Sequence, residues 1–158
     1  MATHHRGSDA ERTALNLFIA LSRATDTYQR GAFRHAPLPD GLTSTQFGVL
    51  EALYHLGPLC QTTVAKKILK TKGNISVVVS HLEGQKLVRR GSLPEDRRQV
   101  ILELTDDGRA LIGRYFPEIA EGFARSAAVL TDEEQKTLTE LCKKLGLGVQ
   151  TTVLGEAR

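Results

Sequence analysis

Cysteine is scarce in this chain, and its placement excludes two architectures at once. The 158 residues include two, Cys60 and Cys142, far apart and with no CxxC or Cys/His spacing nearby, so neither a disulfide framework nor a zinc site is indicated. Long apolar runs are missing as well. Nothing approaches the roughly 20 residues a membrane helix requires, and the polar start MATHHRGSDAER lacks the apolar stretch of a secretion signal. A soluble, cytoplasmic protein without membrane contact is expected. Catalytic signatures are equally short: there is no phosphate-cradling glycine loop, nucleophile elbow, metal-ligand spacing or assembled acid/base pair, and His55 and His81 stand alone. The residues point away from an enzyme and imply no metal and no cofactor.

What is present is an ordinary core composition, 41% hydrophobic and 25% charged, in a chain sized for one domain. The net charge of +3 is unevenly spread. Between Thr62 and Val100, nine cations (Lys66, Lys67, Lys70, Lys72, Lys86, Arg89, Arg90, Arg97, Arg98) face three carboxylates (Glu83, Glu95, Asp96), so this segment carries +6 and the remainder −3. Cations gathered in one segment create a field that attracts a polyanion, and nucleic acid becomes the leading partner.

Helix signals recur along the chain. Ser8 to Glu11 has the form of a capping box ahead of Leu15, Phe18, Ile19 and Ser22 at helical spacing, and this first helix should stop before Pro37 and Pro39. Thr43 to Gln46 is a second box, opening a helix that ends at Gly57-Pro58. A short extended piece, Leu59 to Gln61, precedes a two-turn helix over Thr62 to Leu69, and Thr71 is placed to cap another from Lys72 to Gln85. Within the latter, Ile75-Ser76-Val77-Val78-Val79 is β-branched and favours a strand by propensity. Its spacing nevertheless predicts a helix, with Ile75, Val78, Val79 and Leu82 inward and Asn74, Val77, Ser80 and His81 outward. Leu87 to Ser92 and Val100 to Leu104 read as the strands of a hairpin with an exposed, charged tip. Thr105 caps a long helix to about Leu130 in which Pro117 introduces a bend or break, and the box Thr131 to Glu134 opens a last helix carrying Leu138, Leu141, Leu145 and Val149 on one side.

Two helices meeting across a tight turn, followed by a charged hairpin, describe a winged helix-turn-helix whose second helix fits the major groove. The expected fold is mainly α with a small β-hairpin: one domain over 1–158, a DNA-binding lobe over 43–104, and a helical dimerisation region over 8–36 and 105–154. Asn74 is placed to meet a base edge, Ser76 and Ser80 a base or phosphate, and Val77 a thymine methyl group. Thr71, Lys72, His81 and Arg89 complete the candidate DNA contacts on this lobe, and Lys66, Lys70, Lys72, Lys86 and Arg89 are directed to phosphates. At the hairpin tip Asp96 stands two residues before Arg98, close enough to hold its guanidinium in the orientation a narrow minor groove favours, with Arg97 left for adjacent phosphates.

The stretch from Leu42 to Ile112 resembles the core of the MarR family of transcriptional regulators, most closely in PEDRRQVILELTDDG, Pro94 to Gly108. That resemblance implies that Arg98 enters the minor groove with Asp96 orienting it. It also implies a two-fold homodimer built from the first, fifth and sixth helices on a palindromic operator in double-stranded DNA. One departure stands out: Glu83-Gly84-Gln85-Lys86 lacks the family's usual Lys-Gly before the strand. TQFGVLEALYHLGPL together with TKGNIS is similar to the quinone- and phenol-responsive repressors, which implies a phenolic or quinone-like effector. Tyr28, His35, Phe47, Tyr54 and Tyr115 are the residues that would wall its cleft, and most of them are equally at home in a core or interface. Ligand binding would then favour a dimer geometry whose recognition helices no longer match half-sites about one turn apart. Two other readings remain open on sequence: an oxidant sensor acting through Cys60, and a non-catalytic winged-helix module that binds protein.

Overall fold

The computed structural model of the chain describes residues 5–68, 72–92, 100–152 and 155. In order these form α1 (Asp9–His35), α2 (Ser44–Leu56), β1 (Leu59–Cys60), α3 (Gln61–Lys67), α4 (Lys72–Gly84), β2 (Val88–Ser92), β3 (Val100–Leu104), α5 (Asp106–Ala127) and α6 (Asp132–Thr152). The chain divides into two compact units, Phe33–Gly122 and Met1–Ala32 with Phe123–Arg158.

The first unit owes its core to the apolar stripes of α2, α3 and α4 and to the inward side of the sheet. Val49, Leu50, Val64, Ile75, Val79, Leu82, Leu102 and Ile112 are fully inaccessible, each contributing about 1.5–3 kcal/mol of apolar burial. Helix α2 begins at the expected box, in which the Thr43 hydroxyl accepts from the Gln46 amide at 3.2 Å and the Gln46 side chain accepts from the Thr43 amide at 2.7 Å. It ends at Gly57, whose φ of 77° and ψ of −164° are open to glycine alone, with its amide on the Leu53 carbonyl. The β-branched α4 is helical, as its spacing requires: Ile75, Val79 and Leu82 are buried, although Val78 is only half-buried.

The hairpin is part of a larger element than expected. β1 joins it, giving a three-stranded antiparallel sheet in the order β1-β3-β2 with Leu59 opposite Leu102 and Cys60 opposite Ile101. Gln61, expected in the extended piece, instead opens α3. Leu87 precedes β2 and is buried. The turn between α4 and β2 closes with Leu87 N–H donating to Leu82 C=O and Lys86 N–H to Glu83 C=O, both at 2.9 Å, and Leu82 and Leu87 are both buried. This pattern demands a left-handed residue after the cap, and Lys86 takes it with φ 58°. The missing glycine is thus replaced by a lysine in a glycine conformation.

Helix α5 starts at Thr105, whose hydroxyl accepts from the Gly108 amide at 3.0 Å and donates to the Lys86 carbonyl at 2.6 Å. It ends at Ala127, short of the expected Leu130, and runs through Pro117 without a break. One lost backbone hydrogen bond is outweighed where Ile112 and Ile119 bury the same helix on both sides of the proline.

In the other unit, the Ser8–Glu11 and Thr131–Glu134 boxes form as read. Tyr28 meets Phe123 edge-on with ring centroids 5.2 Å apart. Helix α6 buries none of its 21 residues, and Leu138, Leu141, Leu145, Leu147 and Val149 are exposed along it, as are Leu15, Leu17 and Phe18 of α1. No helix among the described residues is long and apolar enough to cross a membrane.

Candidate nucleic-acid interface

Burying Ile75, Val79 and Leu82 fixes how α4 is rolled, and therefore which residues it offers outward. Asn74, Val77, Ser80 and His81 are exposed, Val77 at 59%. A β-branched side chain left that open gains nothing from its own helix. Ser76 sits apart from this row, half-buried, with its Oγ accepting from Gln61 Nε2 at 2.7 Å. That bond ties the first turn of α3 to α4 and makes Ser76 part of the joint between the two helices.

The strands add cations whose partners sequence did not supply. Arg89 is paired with Glu103 directly across the β2–β3 ladder, Nε to Oε1 at 2.8 Å, while remaining two-thirds exposed. Arg90 reaches α4, with Nη1 paired to Glu83 Oε2 at 2.9 Å and Nη2 donating to Ser80 Oγ at 3.4 Å. Lys66 and Lys67 at the end of α3 and Lys86 in the turn are exposed. Thr71, Asp96, Arg97 and Arg98 lie outside the described residues, and of Lys72 only the backbone, at the start of α4, is described.

Sequence reasoning missed Gln61, Glu83, Arg90 and Glu103. The Arg89–Glu103 pair was recoverable once a hairpin register was assumed, since opposite charges facing each other across a ladder are a common stabilising pair. Gln61–Ser76 and Arg90–Glu83 join separate elements and leave no local pattern.

The five candidate effector residues have distinct settings. Tyr28 belongs to the unit built on Met1–Ala32 and Phe123–Arg158, and the other four to Phe33–Gly122. Phe47 is buried in the core of the latter, and His35 is exposed at the end of α1. Tyr54 is half-buried and stands edge-on to His55, which in turn stands edge-on to Phe116 with centroids 4.6 Å apart. Tyr115 is half-buried beneath the Arg114 guanidinium, 5.3 Å from its ring centre. Among the described residues no cluster of His, Cys, Asp and Glu is arranged to hold a metal ion.

Comparison with known proteins follows the same lines. The sequence profile of the MarR family matches residues 40–99. Over 137 residues the chain is 36% identical to the HTH-type transcriptional regulator MhqR of Bacillus subtilis, covering 87% of this chain and 94% of that protein. Among solved structures, BpsR of Bordetella bronchiseptica, whose DNA binding is regulated by 6-hydroxynicotinic acid, matches with a TM-score of 0.73 at 28% identity, over 83% of this chain and 98% of that one. Sco3205 of Streptomyces coelicolor, a MarR family transcriptional regulator solved in complex with DNA, matches with a TM-score of 0.73 at 27% identity, over 93% and 92% of the two chains.

Proposed function

This chain belongs to the MarR family of winged-helix transcriptional regulators, and on that premise we propose that it is a homodimeric repressor released from a palindromic operator by a small phenolic or quinone-like ligand. The observation that carries the DNA-reading part is the roll of α4, which buries Ile75, Val79 and Leu82 and turns Asn74, Val77, Ser80 and His81 outward. In the major groove Val77 meets a thymine methyl group and Asn74 a base edge, while Lys66, Lys67 and Arg89 meet phosphates. Ser76 acts by holding α4 against α3 through Gln61. In the wing, Arg98 enters the minor groove with Asp96 orienting it and Arg97 on the neighbouring phosphates.

The exposed leucines of α6 and the exposed Leu15, Leu17 and Phe18 of α1 support dimerisation through the helical region, 8–36 and 105–154, since an amphipathic helix that buries nothing in its own chain has its apolar stripe available to a partner. The lobe over 43–104 then supplies one half-site reader per subunit. A hydroxylated aromatic effector is supported by the likeness to BpsR, with Tyr28, His35, Phe47, Tyr54 and Tyr115 as the residues to test.

The test is selection of duplexes from a random-sequence pool by the purified protein, followed by titration at two salt concentrations. An enriched inverted repeat and a steep salt slope are expected, with Arg98→Ala weakening operator binding while sedimentation still shows a dimer. No enriched site, or an affinity indifferent to salt, would sink the reading. Adding 6-hydroxynicotinic acid and simple quinones to the operator complex tests release.

A further inference from the structure

We propose that Arg90 is a positioning residue for operator recognition: from β2 its guanidinium grips the outer turn of α4 through Glu83 and Ser80, so that recognition helix and wing base act as one reading surface. The inference rests on the DNA-binding reading above and adds to it a residue that touches the reader and not the DNA.

Arg90 is anchored at its backbone. It pairs with Leu102, the fully buried centre of β3, so its Cα is set by the middle of the sheet. From there the planar fork spans two side chains one helical turn apart, Nη1 on Glu83 at 2.9 Å and Nη2 on Ser80 at 3.4 Å. A lysine ammonium is a point charge and lacks that fixed two-pronged geometry. The two carboxylates are similarly sheltered, Glu83 at 29% and Glu103 at 32% exposed, but the Arg90 side chain is 38% exposed against 66% for Arg89. Adjacent arginines therefore divide the work. Arg89 stays within the hairpin on Glu103 with its fork open to solvent, whereas Arg90 crosses from strand to helix.

The contact has a consequence for Ser80. Its oxygen accepts from Arg90, which takes up one lone pair and leaves the hydroxyl proton and the second lone pair available. The proton suits a phosphate oxygen, a purine N7 or a thymine O4.

The experiment compares the full-length wild type with Arg90→Met, Arg90→Lys, Glu83→Met and the charge exchange Glu83→Arg/Arg90→Glu. Each is titrated against the duplex that wild type enriches from a random pool and against poly(dI-dC), at several salt concentrations, with melting curves to confirm folding. Arg90→Met is expected to weaken operator binding about fivefold per half-site, the size of one exposed charge pair, and to leave poly(dI-dC) affinity and the salt slope unchanged. Arg90→Lys should not restore it, and the exchange should recover most of the loss. Glu83→Met is the most discriminating: removal of a carboxylate strengthens DNA binding by field alone, but weakens operator binding if that carboxylate holds the reader in place. Equal losses on both DNAs with the slope reduced by about 0.9 would make Arg90 a phosphate contact and overturn the proposal. Tighter operator binding by Glu83→Met would overturn it too. A wild type that enriches no duplex defeats the DNA-binding reading itself, whereas one whose operator is bound equally well by Arg90→Met defeats this proposal alone.

Discussion

Replacing Gly108 by alanine puts a methyl group where the fold has a carbonyl. An ideal Cβ at this position lies 2.0 Å from the Leu87 carbonyl oxygen and 2.9 Å from its carbon. Carbon–oxygen contacts settle near 3.3–3.6 Å, so the strand entry or the start of α5 has to move by about 1.3 Å. Neither is free to do so. The same Leu87 carbonyl accepts the Thr105 amide at 3.1 Å, and the Thr105 hydroxyl joins Gly108 N–H to the Lys86 carbonyl. Backbone displacement in a packed region costs about 1–3 kcal/mol and a lost hydrogen bond about 1 kcal/mol more, while alanine regains about 1 kcal/mol of helix propensity. The net expectation for Gly108→Ala is a loss of about 2 kcal/mol, or a fall in Tm of roughly 4–8 °C for a chain of this length. Urea unfolding at fixed protein concentration measures it, with Gly84→Ala as control because a Cβ there meets nothing within 4 Å. A Gly108 variant as stable as wild type would refute the claim that Leu87 and α5 are locked together.

Lys86→Gly is expected to raise stability by about 1 kcal/mol, because it removes the penalty of a side chain at φ 58°; an unchanged or lower urea midpoint would count against the left-handed cap. The Glu134 carboxylate accepts the Thr131 amide at 2.8 Å, a bond that holds its pKa below the usual 4.5. A lowered carboxylate pKa gives stability that is complete above the unfolded value and lost as pH falls through the folded one. Helical signal from α6 should therefore decline in acid below pH 4.5, and Glu134→Gln, which keeps an acceptor but does not titrate, should show a flatter pH profile by circular dichroism. Identical profiles would contradict it. Leu141→Glu on the exposed stripe of α6 should shift the protein toward monomer in sedimentation without lowering its helix content, and an intact dimer would remove α6 from the interface.

Features settled within a few residues were legible in the sequence. All three boxes, Ser8–Glu11, Thr43–Gln46 and Thr131–Glu134, form because the bonds they make span one turn. The helical reading of Ile75 to Val79 held against propensity since three inward positions at the right spacing outweigh a few tenths of a kcal/mol per residue. What escaped depends on distant partners. The short extended piece at Leu59 was legible and is the two-residue β1, but nothing local marks that it pairs with β3 to complete a three-stranded sheet. The absent Lys-Gly before the strand read as a departure in the turn; the turn is in fact kept, with Lys86 bearing the strain. Of the bend or break expected at Pro117, the break does not occur, because buried Ile112 and Ile119 outweigh the proline's local cost.

The charge island that first pointed to DNA is altered most by the structure. Its +6 includes Arg89 and Arg90 as though both were available to a polyanion. Arg90 is engaged by Glu83, and Arg89 by Glu103, a carboxylate just beyond Val100 and so absent from the tally. A phosphate that takes up Arg89 competes with that carboxylate, and the net gain is the difference between two charge pairs. Lys66 and Lys67, exposed at the end of α3, have no carboxylate partner among the described residues. Neutralising either lysine should lower the salt slope of operator binding by about 0.9 and weaken specific and non-specific DNA alike, whereas Arg89→Met should lower it by less. Equal slopes for all three variants would mean that the ladder pair opens without cost when DNA arrives, and that the sequence count of cations was the right measure after all.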